Sequence, residues 1–551
     1  MLPESKHTIY NFFFRHKGIL FTACGLGLFS QVSAIVIPLC VGKFYQLSFG
    51  GQGGRSNFFD ALFGPDITIY SFFVVFFLVV GVRFLLQWQS KRMTSIAGEL
   101  FTSSLRSQLF EHLLKSDLTT FQSKPVGKYL LRFSGDLQTS QRIITHTYIG
   151  GFSDATYLML AIGLVAMLDH TLALVLITGL PLALLLSTWA KRSYTKLHVA
   201  KQDKAAAHLA FVTERLQSII TIKAMNRITP EMRKYDKRAE EFKQTNIAYK
   251  NASALQSAVH PMLSYLLLGA LMFTAYRIQQ STPDAAHGAN LIVVIMLSIQ
   301  MIPAMKRLML TGSYYKTGSA SLAKINALTQ LPTEHLIKDS IHLPEASLTF
   351  KHVSFAYPQH PVIESFSCTC TPKSITWIKG DSGSGKSTLS KLAIGLLQPQ
   401  SGEIKIGPHH YQDISVFALR KHVAISQADM PLLGKNVFAA LSYHTDPDKR
   451  PHLIALLAKL GFADAHLLPE QAINISGFGF SEGEIQLMNI ARAVFTRKPI
   501  LVFDSPFTKL DTSASAHVCK LFNELKKKHT VIVLSDKPPV GLEIDHTYSL
   551  K

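Results

Sequence analysis

Cysteine is scarce and unpatterned. Five residues, Cys24, Cys40, Cys368, Cys370 and Cys519, are spread over 551 positions. Two lie in apolar runs, two alternate along an expected strand and one lies in an expected helix. No pairing framework emerges, so unpaired thiols in a reducing compartment are expected. Cys368 and Cys370 lack the second Cys or His pair that a structural metal site needs. Acidic residues are also few, 36 against 56 Lys and Arg, for a net charge of +20. Such a surplus would suit a nucleic-acid binder, yet aromatic-interleaved RNP strands and paired Cys/His sites are absent. Nucleic acid is therefore not an expected partner, and the basic residues fall in loops that would face cytosol. The stretch "MLPESKHTIYNFFFRHKGIL" has no A-x-A cleavage site after its apolar run. That run is read as a first membrane span, not a removed leader.

What is abundant is hydrophobic side chain. It makes up 47% of the chain, and the mean hydropathy of +0.19 is high for a chain this long. The apolar residues are concentrated in uninterrupted runs over the first 310 positions, while the chain after about Leu348 reads as a soluble α/β domain. A span needs about 20 largely apolar residues. Six stretches qualify: 18–42, 67–89, 146–168, 170–190, 252–276 and 285–305. The lipid bilayer is thus an expected partner.

The connections between them alternate. Segments 46–66, 168–171 and 281–287 are short and share one basic residue, Arg55. Segments 91–145 and 191–251 are long and hold eight and fourteen Lys and Arg residues. Positive loops stay inside, so both termini are expected in the cytoplasm. The long loops keep helical periodicity, as in "AGELFTSSLRSQLFEHLL" and "AAAHLAFVTERLQSIITIKAM". Each is expected to be two helices of about 25 residues continuing the spans, projecting nearly 40 Å at about 1.5 Å per residue.

After a linker over 312–347, alternating strand patterns lead into a glycine-rich loop. It runs from Gly380 through Asp381, Ser382, Gly383 and Ser384 to Gly385, Lys386, Ser387 and Thr388, and a helix follows. Glycines let the backbone wrap phosphates, Lys386 can reach the β- and γ-phosphates of ATP, and Ser387 can ligate Mg²⁺. The helix adds its positive N-terminal end. Further on, "KPILVFDSPFTKLD" is a hydrophobic strand ending in Asp504, which can deliver a carboxylate to the same Mg²⁺. Next to it stands Ser505.

The chain resembles an ABC exporter half-transporter over essentially its whole length. That resemblance implies an all-α six-helix transmembrane domain with long cytoplasmic helix extensions over 1–311. An α/β P-loop NTPase domain over 348–551 would follow. It implies that "LLKSDLTTFQSKPVGKYLLRFSGDLQ" holds a coupling helix and that Tyr357 stacks on adenine. It gives Gln427 a Mg²⁺-sensing role, makes Asp504 the Walker B aspartate and puts Asp511 at the interface. Ser481 and Gly483 would contact a partner subunit's ATP. Departures from the family pattern are specific. The signature reads "FSEGE", Phe480 to Glu484, in place of LSGGQ. "NISGFG" before it lacks the usual acidic and arginine residues. Ser505 replaces the catalytic glutamate, and Asp536 replaces the histidine that holds the γ-phosphate. The chain ends at Lys551 soon after "VIVLSDKPP", so C-terminal helices are not expected.

A serine hydroxyl cannot accept water's proton at neutral pH as a carboxylate can, and losing a general base typically removes ~10²–10⁴-fold in rate. The expected function is an ATP-binding exporter subunit whose own half-site hydrolyses slowly, paired with a competent second half-transporter. A weakly active homodimer and a non-pumping ATP-binding regulator or ATP-gated conduit are the alternatives. The resemblance places the chain in a bacterial inner membrane. Among polar residues in the spans, Gln31, Asp154, His260 and Gln300 are substrate-contact candidates, each with the alternative of an interhelical partner. Whether lipid, drug, peptide, protein or thiol is carried stays open, although the lack of a leading peptidase domain argues against peptide processing.

Overall fold

Long apolar runs with few breakers give long helices. The structure, a computed structural model, describes residues 3–49, 67–122, 126–281, 287–334, 346–357, 360–443, 447–473 and 479–550. These divide into two compact units: residues 1–114 with 124–330, and residues 115–123 with 331–551.

The first unit is built on six helices: α1 (Lys17–Phe49), α2 (Ile69–Lys115), α3 (Gly151–Leu168), α4 (His170–Gln217), α5 (Ile228–Ser281) and α6 (His287–Asn326). A short helix, Pro3–Arg15, precedes them and was not foreseen. Among the described residues, five helices are long and apolar enough to cross a membrane; the apolar stretch opening α4, His170–Ala183, is shorter. At about 1.5 Å per residue, the 47 residues of α2 and the 54 of α5 come to roughly 70 and 80 Å. Both exceed the ~30 Å hydrocarbon core. The expected extensions are present as continuous helix in α2, α4 and α5; ahead of α3 the chain runs instead as short α and π segments, Val126–Leu131, Arg132–Asp136, Leu137–Arg142 and Ile143–Gly150. Pro261 and Pro303 lie inside helices that run on past them. The core joins α1, α3, α4, α5 and α6 through residues such as Leu39, Leu164, Leu176, Leu271 and Leu297. The start of α2 instead exposes Tyr70, Phe77, Leu78 and Phe84, as a lipid-facing surface would. Helix α6 continues to Asn326 because Leu322 and Ile325 are buried, so the first part of the expected linker is helix. Residues 335–345 lie outside the described residues.

Among the polar candidates, Asp154 is buried and paired with Arg307, which donates through Nε (2.9 and 3.1 Å) and Nη2 (2.6 Å). Gln300 accepts from Tyr157 Oη at 3.4 Å. For these two the interhelical role is the one observed. Gln31 is partly buried in α1, and the His260 side chain lies outside what is described.

The second unit carries two sheets. The antiparallel sheet has the order β2-β1-β4-β5, with β1 Leu348–Tyr357, β2 His360–Cys370, β4 Ser401–Ile406 and β5 His409–His410. His409 and His410 form this short edge strand, and His410 Nδ1 lies 2.8 Å from Glu403. Cys368 and Cys370 point into the core; their mutual hydrogen bond and burial push the Cys368 thiol up, keeping it neutral. The parallel sheet has the order β6-β7-β8-β3-β9, with β3 Ile375–Lys379, β6 Val423–Gln427, β7 Ile500–Asp504, β8 Thr530–Ser535 and β9 His546–Ser549. β7 and β8 are buried throughout, as continuous apolar runs in parallel sheets are.

Residues 115–123 belong to this unit. Asp117 N donates to Pro332 O (3.0 Å), Glu334 N donates to Lys115 O (2.9 Å), and Ser116 bridges Thr333. The helix Leu118–Gln122, at the expected coupling position, sets Leu118 against the nucleotide-unit core. Arg420 grips Glu334 with both terminal nitrogens at 2.7 Å.

Candidate nucleotide site

The parallel register assembles the site. Gln427 pairs with Asp504, Asp504 with Leu534, and Lys379 with Ser535. The residues at and just beyond these strand ends are therefore Gln427, Asp504 with Ser505, Asp536, and Gly380, in that order across four strands. Carboxyl ends of parallel strands are where open α/β sheets bind ligands.

Between β3 and helix α7 (Lys386–Ala393) the loop turns tightly. Gly383 and Gly385 sit at φ of 89° and 91°, a left-handed region that favours glycine. A Cβ on Gly385 would come within 2.8 Å of Val362. Ser384 Oγ is buried without a hydrogen-bond partner, an orphan that a phosphate oxygen would satisfy. Lys386 is 7% exposed and its ammonium donates to Gly380 O (2.6 Å), Asp381 O (2.8 Å) and Asp536 Oδ1 (2.5 Å). A buried cation, an orphaned serine hydroxyl and a helix N-terminus together fit a polyphosphate.

Asp504 is buried, 4% exposed. Its Oδ2 accepts from Gln427 Nε2 at 3.2 Å, and the same Nε2 donates to Ser390 Oγ at 2.6 Å. Its Oδ1 accepts from Ser505 Oγ at 3.3 Å. The oxygens of Ser387, Gln427 and Asp504 make a donor set suited to a hard cation. Ser505 has φ 52°, and its N–H donates to Leu534 O at 2.8 Å. Its hydroxyl is turned to Asp504, and it brings no carboxylate. Tyr357 closes β1, packed edge-on against Phe355 at 5.1 Å.

The signature region forms a helix start. Ser481 caps α8 (Glu482–Phe495) in a capping box with Glu484. Glu484 Oε2 accepts from Ser481 N (2.7 Å) and Ser481 Oγ (2.8 Å). An acid here stabilises the helix N-terminus, which explains Glu484 locally. Glu482 reaches Lys509 at 3.5 Å, and Gly483 backs onto Lys509 O. Asp511 caps the helix Thr512–Leu525 by accepting from Ala514 N at 2.7 Å. Of "NISGFG", residues 474–478 lie outside the described residues. The Lys386–Asp536 contact and the Glu484–Ser481 capping box were not read from sequence; the S-x-x-E spacing was the available signal for the second.

The sequence matches the family model of the ABC transporter transmembrane region over residues 20–305 and the ABC transporter family model over residues 363–508. The chain belongs to the ABC transporter family. Relatives of this ABC transporter include an ATP-dependent lipid A-core flippase of Haemophilus influenzae, 25% identical over 79% of this chain and 75% of the relative. A multidrug resistance ABC transporter ATP-binding and permease protein of Lactococcus lactis is 22% identical over 83% and 78%. A bacterial Atm1-family ABC exporter solved with ATP bound superposes with a TM-score of 0.83 at 19% identity, covering 97% of this chain and 93% of that one. The chain is an integral-membrane, ATP-binding subunit of exporter type, a class that works as dimers in the lipid membrane.

Proposed function

We propose that this subunit is the degenerate half of a heterodimeric exporter. Its loop holds Mg-ATP but hydrolyses it slowly, and a second half-transporter supplies the missing glutamate and histidine. The observation that carries this is the end of β7, where Asp504 is followed by Ser505 with its hydroxyl 3.3 Å from the aspartate. In this reading Tyr357 stacks on the adenine, Gly380 to Thr388 bind the phosphates, and Ser387, Gln427 and Asp504 hold Mg²⁺. The bound ion neutralises phosphate charge. What the end of β7 lacks is a carboxylate directly after Asp504 to take the proton of the attacking water, the position where Ser505 stands. The distribution of Lys and Arg supports both termini and the nucleotide unit in the cytoplasm, and the bacterial relatives support a bacterial inner membrane.

The test is co-purification of the tagged chain from its native membrane, followed by ATPase measurement on the chain alone and on the pair. The pair is expected to turn over at least about 10²-fold faster than the chain alone. Equal, brisk turnover by the isolated chain would remove the degenerate assignment. A second reading, a non-pumping ATP-binding regulator, draws on Glu484. Its carboxylate occupies both the N–H and the hydroxyl of Ser481, the groups that would face a partner's ATP. Turnover by the pair that is slow and no faster than that of the isolated chain would favour it.

A further inference from the structure

We propose that Asp536 sets the nucleotide selectivity of this half-site, so that it retains a nucleoside diphosphate in preference to the triphosphate. The inference rests on the loop being a nucleotide site, and adds to it the phosphate count that the site prefers. An ammonium has three N–H donors, and those of Lys386 face three acceptors within 2.5–2.8 Å. A phosphate oxygen can meet Nζ only by displacing one of them. Two are backbone carbonyls of the loop itself, and the Asp381 carbonyl is further held by Ser384 N at 3.1 Å. The third is the Asp536 side chain, which is 56% exposed and free to rotate. Asp536 is thus a resident carboxylate at the anion position of the lysine.

The geometry keeps it there after displacement. The register Lys379 with Ser535 places Asp536 beside Gly380. Ser535 Oγ accepts from Trp377 Nε1 (3.0 Å) and donates to Lys537 O (3.0 Å), which fixes the backbone on both sides of it. In a glycine-rich phosphate loop the backbone amides take the inner phosphates, and the lysine marks the side of the outermost one. A displaced Asp536 therefore faces the γ-phosphate far more closely than the β-phosphate. Repulsion between like charges falls with distance, so ATP bears it and ADP largely escapes it.

The test uses the full chain in detergent with Mg²⁺, titrated calorimetrically with ADP and with ATP. The variants are Asp536→Asn, Asp536→His and Asp536→Glu, with melting curves to confirm folding. Wild type is expected to bind ADP more tightly than ATP. Asp536→Asn and Asp536→His should tighten ATP by about tenfold and ADP by less than about threefold. Asp536→Glu, which keeps the charge, should retain the preference for ADP. Equal shifts for both nucleotides, or an unchanged ATP affinity, would overturn the proposal while leaving nucleotide binding intact. No binding of either nucleotide by any variant would overturn both this proposal and the nucleotide-site reading.

Discussion

Ser505 occupies the first position after Asp504, and its hydroxyl spends its donor on the Asp504 carboxylate. Ser505→Glu restores a group able to take a proton from water, and about 10²-fold faster hydrolysis by this half-site is expected in a steady-state ATPase assay. Rates within twofold of wild type would mean that the missing carboxylate is not what limits turnover. Lys386→Ala removes the one buried cation of the loop and should weaken ATP binding by at least tenfold, since hydrogen bonds to charged groups contribute about 1.5–3 kcal/mol. Calorimetric titration reads this directly. Glu484→Gln keeps a capping-box partner for Ser481, whereas Ser481→Ala loses the cap, so only the second should destabilise, by about 1 kcal/mol. At this scale the loop and Asp504 were legible because phosphate binding constrains adjacent residues. The Lys386–Asp536 contact was not, because it joins residues 150 apart in sequence through a strand register that periodicity cannot supply.

Among the elements, the helices of the membrane unit were legible as apolar runs and their extensions as 3.6-residue periodicity. Helix α6 outlasted its apolar stretch, because burial of Leu322 and Ile325 continues one face beyond the point where overall hydropathy falls. Arg307 went unremarked for a related reason: it lies past the last apolar run, and its partner Asp154 sits on another helix. Arg307→Ala leaves a buried carboxylate without its counter-charge, a loss of up to about 3 kcal/mol. The Asp154→Leu, Arg307→Leu double variant should recover much of that loss, because no unpaired charge remains. Thermal unfolding in detergent distinguishes the two, and equal losses would show that the ion pair itself matters little. The Glu334–Arg420 grip makes a parallel case beside the Leu118–Gln122 helix.

The whole molecule combines a membrane unit with a nucleotide unit that retains the means to hold ATP. The division was visible as a change in composition near Leu348, because lipid and water demand different side chains. Its finer boundary was not, since residues 115–123 join the nucleotide unit through backbone hydrogen bonds that any sequence can make. The central claim, binding without effective hydrolysis, is tested most directly on the purified chain alone in a membrane mimic, with nucleotide occupancy and phosphate release followed in the same sample. The expected result is saturable nucleotide occupancy that Lys386→Ala weakens by at least tenfold, with phosphate release near the buffer rate. Release at the ordinary enzymatic scale of about 1–10³ per second, abolished by the same substitution, would contradict it.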